Sequence, residues 1–88
     1  MDERPRIEFP CEGYPIKVIG SSHELLRRQV IRIVRRHDET FREETVTEQP
    51  SRKGAYTSVR LVIRATGVEQ LKALHAELMT LPEVRMVL

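Results

Sequence analysis

Apolar positions recur along this chain with a period of two in some stretches and of three to four in others. The run Ile16-Lys17-Val18-Ile19-Gly20 predicts a short β-strand that stops at Gly20. Ser21-Ser22-His23-Glu24 follows with the S-x-x-E spacing of a capping box, in which a Ser side chain and a Glu side chain satisfy each other's backbone amides. Leu26, Val30, Ile33, Val34 and His37 then fall three and four residues apart, predicting an amphipathic helix to about His37 with Arg28, Arg32, Arg35 and Arg36 on its opposite side. Phe41 to Gln49, rich in Thr and Val with alternating charge, suits an edge strand, and Pro50 to Gly54 suits a turn. From Ala55 to Ala65 the period of two returns: Val59, Leu61, Ile63 and Ala65 share one face, and Tyr56, Ser58, Arg60, Val62 and Arg64 share the other. Thr66-Gly67-Val68-Glu69 repeats the capping spacing ahead of a second helix through Val68, Leu71, Leu74, His75 and Leu78, which Pro82 forbids from continuing. Val84 to Leu88 predicts a last strand.

Two strand-helix-strand units joined by a hairpin define a βαββαβ order. With each helix amphipathic on one stripe, the expected fold is an α+β, ferredoxin-like two-layer sandwich, a four-stranded antiparallel sheet with two helices on one face. The strands at Ile16 and Ala55 are expected at its centre, and those at Phe41 and Val84 at its edges. Pro5, Pro10 and Pro15 break any helix at the N-terminus. Residues 1–14 are therefore expected to form an arm, anchored by Ile7 and Phe9, on a single domain spanning 15–88.

Composition narrows the class. In 88 residues there is room for one modest core and little for a deep cleft. No apolar run approaches the roughly 20 residues needed to cross a bilayer, the first residues do not form a secretory signal, and Cys11 is the only cysteine, so a cytoplasmic location is expected. The net charge is only +2, but it is unevenly distributed. Arg27, Arg28, Arg32, Arg35 and Arg36 crowd one segment, and Asp38, Glu39, Glu43, Glu44 and Glu48 crowd the next, so the two blocks can neutralise one another within the fold.

Several stretches also resemble a known family. Phe9-Pro10, the run YPIKVIG from Tyr14, KGAYTSV from Lys53 and the ending VRMVL from Val84 are similar to the YbeD-like bacterial proteins, a small family of uncharacterised function. The resemblance covers nearly the whole chain beyond its first few residues, and it implies the same fold. Members of that family are similar in turn to ACT domains, regulatory modules that bind amino acids or other small ligands and pair through their sheets. The chain departs from ACT-type ligand sites in one place. Where those sites have a Pro-Gly pair between first strand and first helix, the loop here reads Gly20-Ser21-Ser22-His23.

Candidate sites are few. Gly20, Ser21, Ser22 and His23 precede a helix and could hold a small anionic ligand, the plainer reading being a helix cap. Arg52 and Lys53 on the hairpin, with Tyr56 beside them, would suit a nucleic-acid contact, but an RNA-binding sheet displays more aromatic residues than this one. Lys17, Arg60, Arg64 and Arg85, with Ile19, Val62 and Val87, are expected on the uncovered side of the sheet, and such a mixed face suits a protein partner or a homodimer. No nucleophile stands beside a base, His23, His37 and His75 are isolated, and Cys11 lacks ligands at metal spacing; no catalytic residue, metal or cofactor is assigned. The leading expectation is a non-catalytic regulatory or adaptor domain acting through protein association, with small-ligand sensing as a further role and no membrane contact. The alternative is a weak nucleic-acid binder using the basic hairpin and the arginine helix.

Overall fold

The computed structural model describes residues 8–88. Strand β1 (Cys11–Ser21), helix α1 (Leu26–His37), strands β2 (Thr47–Pro50) and β3 (Tyr56–Ala65), helix α2 (Val68–Leu78) and strand β4 (Val84–Val87) follow in the expected order. The strands form one antiparallel sheet in the order β2-β3-β1-β4, with the two long strands at its centre. Both helices cover one face. Ile16 and Val18 of β1, Val59, Leu61 and Ile63 of β3, Val30 and Val34 of α1, and Leu74 and Leu78 of α2 are buried in a single core. Each fully buried Leu or Val contributes roughly 1.5–3 kcal/mol relative to exposure, so the alternation along β1 and β3 fixes which face of the sheet the helices cover.

The first strand is longer than the pattern suggests. β1 begins at Cys11, so the last four residues of the expected arm, 11–14, belong to the sheet. A bulge lets two residues, Glu12 and Gly13, oppose the single Arg64, and Gly13 adopts the positive φ of 69° that a side chain would resist. Pro15 is tolerated in this central strand for a geometric reason. Lys17 exchanges both backbone hydrogen bonds with Leu88 on the β4 side, so Pro15, two residues earlier, turns its missing donor to that side, beyond the reach of β4. Of the two expected anchors, Phe9 is half-buried and Ile7 lies outside the described residues.

Neither capping box forms. Ser21 remains in β1, and α1 starts five residues later with Leu25 at its N-cap position; the Leu25 amide donates to His23 Nδ1 at 3.0 Å. At α2 the side chain that answers is Gln70 rather than Glu69. Its Oε1 accepts from the Thr66 amide, and its Nε2 donates to the carbonyls of His37 and Arg64 at 2.8 and 3.2 Å, tying both helices to β3. The expected strand at Phe41–Gln49 is a strand only from Thr47, because Glu43–Thr45 forms a 3-10 turn. Here Glu43 reaches back to Arg35 at 2.9 Å and Arg27 at 3.6 Å, which bends the chain toward α1. On α2, Val68 and His75 stand in solvent despite their helical spacing, and Leu74 and Leu78 alone are fully buried.

Asp38 closes the end of α1. Only 7% exposed, it accepts from the Thr40 amide and hydroxyl at 2.9 and 2.6 Å and from the Arg64 amide at 2.9 Å. Burial pushes its carboxyl up, but the Thr40 hydroxyl, the two amides and the Arg64 charge outweigh that and hold it below the ordinary value.

Candidate partner surface

The uncovered face is built by the outward residues of β1 and β3. Pro15, Lys17 and Ile19 point away from the helices on β1; opposite them stand Val62, Arg60 and Ser58 on β3. Because the backbone of Lys17 is bonded to Leu88 and not to Arg60, Lys17 and Arg60 form a non-hydrogen-bonded pair, the kind in which opposing side chains come closest. They are two like charges side by side. Among the described residues neither has an acidic side chain within ion-pair distance, whereas Arg64 is matched by Glu12 at 2.7 Å. Around the pair runs a shallow groove of about 440 Å³, bounded by Pro15, Val62, Leu88 and Thr45. Val62 is 36% exposed, Met86 48% and Leu88 65%.

The expected membership of this face needs one correction. Val87 pairs with Val18 and packs on the helix side, and Met86, opposite Ile19, takes its place on the open side. The cause is a second bulge, which leaves Arg85 as the extra residue between Met86 and Val84. Sequence periodicity carries no signal for an inserted residue in so short a strand.

The other candidates are positioned differently. Gly20 marks a close approach: a Cβ there would lie 2.8 Å from the Glu83 carbonyl and 3.1 Å from the Leu26 side chain. The next two amides are already used, Ser21 donating to Glu83 at 2.7 Å and Ser22 to Ala55 at 3.0 Å, while the Ser22 hydroxyl meets Thr57 at 2.8 Å. With the His23 ring turned to Leu25, the loop's groups serve the junction of β1, β4 and α1. Arg52 and Lys53 sit exposed on a hairpin closed by its own bonds, Ser51 amide to Tyr56 carbonyl and Tyr56 amide to Ser51 hydroxyl, with Gly54 at a φ of 76°. Tyr56 shares the open face with Arg60 and Arg64, but the arginine stripe of α1 lies on the other side of the sheet. That helix is answered in part: Arg27 and Arg35 bind Glu43, Arg27 also approaches Glu48, and Arg36 pairs with Glu77, which hydrogen-bonds His37 across the helices at 2.7 Å, while the exposed Arg28 and Arg32 have no acidic side chain within ion-pair distance among the described residues. The neutralisation expected of the two charge blocks is therefore present at Arg27 and Arg35, through Glu43 and Glu48, and not at Arg28 or Arg32 among the described residues.

No group of three His, Cys, Asp or Glu side chains among the described residues is placed to hold a metal, and none of their helices is long and apolar enough to cross a membrane. An open-faced βαββαβ sandwich of this kind has the ferredoxin-like fold. It superposes on the ACT domain from the GTP pyrophosphokinase of Chlorobium tepidum with a TM-score of 0.68 at 16% identity, over 89% of this chain and 97% of that one. Protein HP0495 from H. pylori gives a TM-score of 0.70 at 15% identity, over 98% of this chain and 89% of that one. These similarities concern the fold. Residues 4–88 match the family described as "Protein of unknown function (DUF493)". The chain is 45% identical to a UPF0250 protein of Azotobacter vinelandii over 98% of its own length and 94% of that protein. With a UPF0250 protein of Nitrosomonas europaea it shares 38% identity over the full length of both. The chain belongs to this family, the YbeD-like proteins that its sequence resembles.

Proposed function

We propose that this protein is a non-catalytic regulatory or adaptor domain that works by docking another polypeptide on the open face of its sheet. The observation that carries this reading is the Lys17–Arg60 pair over the apolar groove. Placing like charges in the closest cross-strand geometry costs the free chain stability, and such a cost is retained where it serves recognition. Exposed Val62, Met86 and Leu88 beside the pair supply the apolar contact that an interface centre needs. The fold neighbours add support of a general kind, since the Chlorobium tepidum structure is an ACT domain from a GTP pyrophosphokinase.

A photo-crosslinking residue placed at Val62 in living bacteria tests this directly, with the same residue at Lys72, exposed on α2, as the control. A discrete protein adduct is expected from Val62 and not from Lys72. Equal labelling from both positions, or none from Val62, would remove the open face as the working surface.

A further inference from the structure

The charge of the open face says which kind of partner fits it. On the two central strands its described charged residues are Lys17, Arg60, Arg64 and Glu12, and that one acid is already engaged with Arg64. A second copy packed face to face through a two-fold axis would bring the same cations to the interface from both sides, with no free Asp or Glu side chain among the described residues of this face to meet them. The neighbouring outward positions of β2, Thr47 and Gln49, offer none either. Among the described residues no acidic side chain lines the groove, and its two cations stand between apolar walls.

Resting on the reading of this face as an association surface, we infer that the occupant is a segment of a different polypeptide in which an Asp or Glu is flanked by apolar residues. Its carboxylate bridges Lys17 and Arg60, and its apolar neighbours cover Val62 and Pro15 on one side and Leu88 on the other. The geometry suits this division of labour. A carboxylate has two oxygens and can accept from an ammonium and a guanidinium at once, and the two donors stand on adjacent strands in direct register. The groove is shallow and open along the sheet, so it receives a continuous segment better than it encloses a small molecule, which a pocket normally buries on most sides.

The test is a display selection of random twelve-residue peptides on the full chain, followed by affinity measurements with synthetic winners. Peptides enriched in an acid between apolar residues are expected, and replacing that acid by its amide should weaken binding about tenfold or more. The double variant Lys17→Glu and Arg60→Glu keeps the like-charge geometry with its sign reversed. It should therefore fold as the parent does, by circular dichroism and amide NMR spectra, yet reject the acidic peptides and accept their Glu→Lys counterparts. Winners without an acid, winners that bind the double variant as well as the parent, or a selection that yields no binder would each overturn the inference. A concentration-dependent dimer abolished by the double variant would overturn it in favour of self-association. The two readings separate cleanly: a crosslinked protein at Val62 together with charge-indifferent peptides would retain the docking face and discard the acidic partner.

Discussion

Along β3, Val59, Leu61 and Ile63 are buried beneath the helices, while Arg60 and Val62 between them stand in solvent on the opposite face. α1 and the open face differ as sharply in how they use charge. The arginines of α1 are the densest cationic feature in the chain, and Glu43, Glu48 and Glu77 answer Arg27, Arg35 and Arg36 from within the molecule, leaving Arg28 and Arg32 to solvent among the described residues. The open face holds fewer cations, and the two it leaves unanswered among the described residues, Lys17 and Arg60, stand between apolar side chains rather than on a solvated helix face. Charge density in a sequence therefore says less about recognition than what the fold sets beside the charges it leaves unanswered.

Substitutions on the two sides of the sheet should break this comparison or sharpen it. Leu78, fully buried, belongs to the packed side; Leu78→Ala should lower unfolding free energy by about 2–5 kcal/mol, whereas Val62→Ala should stay within about 0.5 kcal/mol, both read by chemical denaturation. Comparable losses at the two positions would mean that the open face is packed in the free chain. A smaller effect is expected at Asp38, where replacement by Ala strands the Thr40 and Arg64 amides at a cost of about 1–3 kcal/mol. Since its folded pKa lies below the ordinary 3.8, the stability carried by its charged form is complete above that value and is lost as pH falls through the lower folded one. The gap between Asp38→Ala and the parent should accordingly narrow in acid; a gap independent of pH would show that its ionisation contributes nothing. A further small effect has the opposite sign. Arg60→Glu turns the cross-strand repulsion with Lys17 into attraction and should raise stability by about 0.2–1 kcal/mol, and a loss of stability there would show that Arg60 is already matched in the free chain.

Much of the fold was legible because two periods of hydrophobicity, one of the strand and one of the helix, place Val59, Leu61, Ile63, Leu74 and Leu78 without reference to anything distant. What periodicity could not show depends on partners remote in sequence. The S-x-x-E and T-x-x-E spacings looked like caps, but β1 continued through Ser21 to meet Tyr56, and Gln70 reached the Thr66 amide in place of Glu69. β2 shortened because Glu43 found arginines on α1. Asp38 stood out in the sequence only as one member of an acidic block, since its worth lies in an amide 26 residues away. Lys17, Arg60 and Arg64 were recognisable as outward residues, whereas the register that sets Lys17 against Arg60 while matching Arg64 to Glu12 emerges only once the Gly13 bulge is known.

That register also makes ionic strength act in two directions at once. Mobile ions screen exposed charges, so added salt should ease the Lys17–Arg60 repulsion in the isolated chain while weakening the attraction of the same pair for a carboxylate. On the proposed docking reading, the salt that eases this pair in the free domain also loosens its hold on an acidic segment, so a complex should be captured best where the pair is least screened.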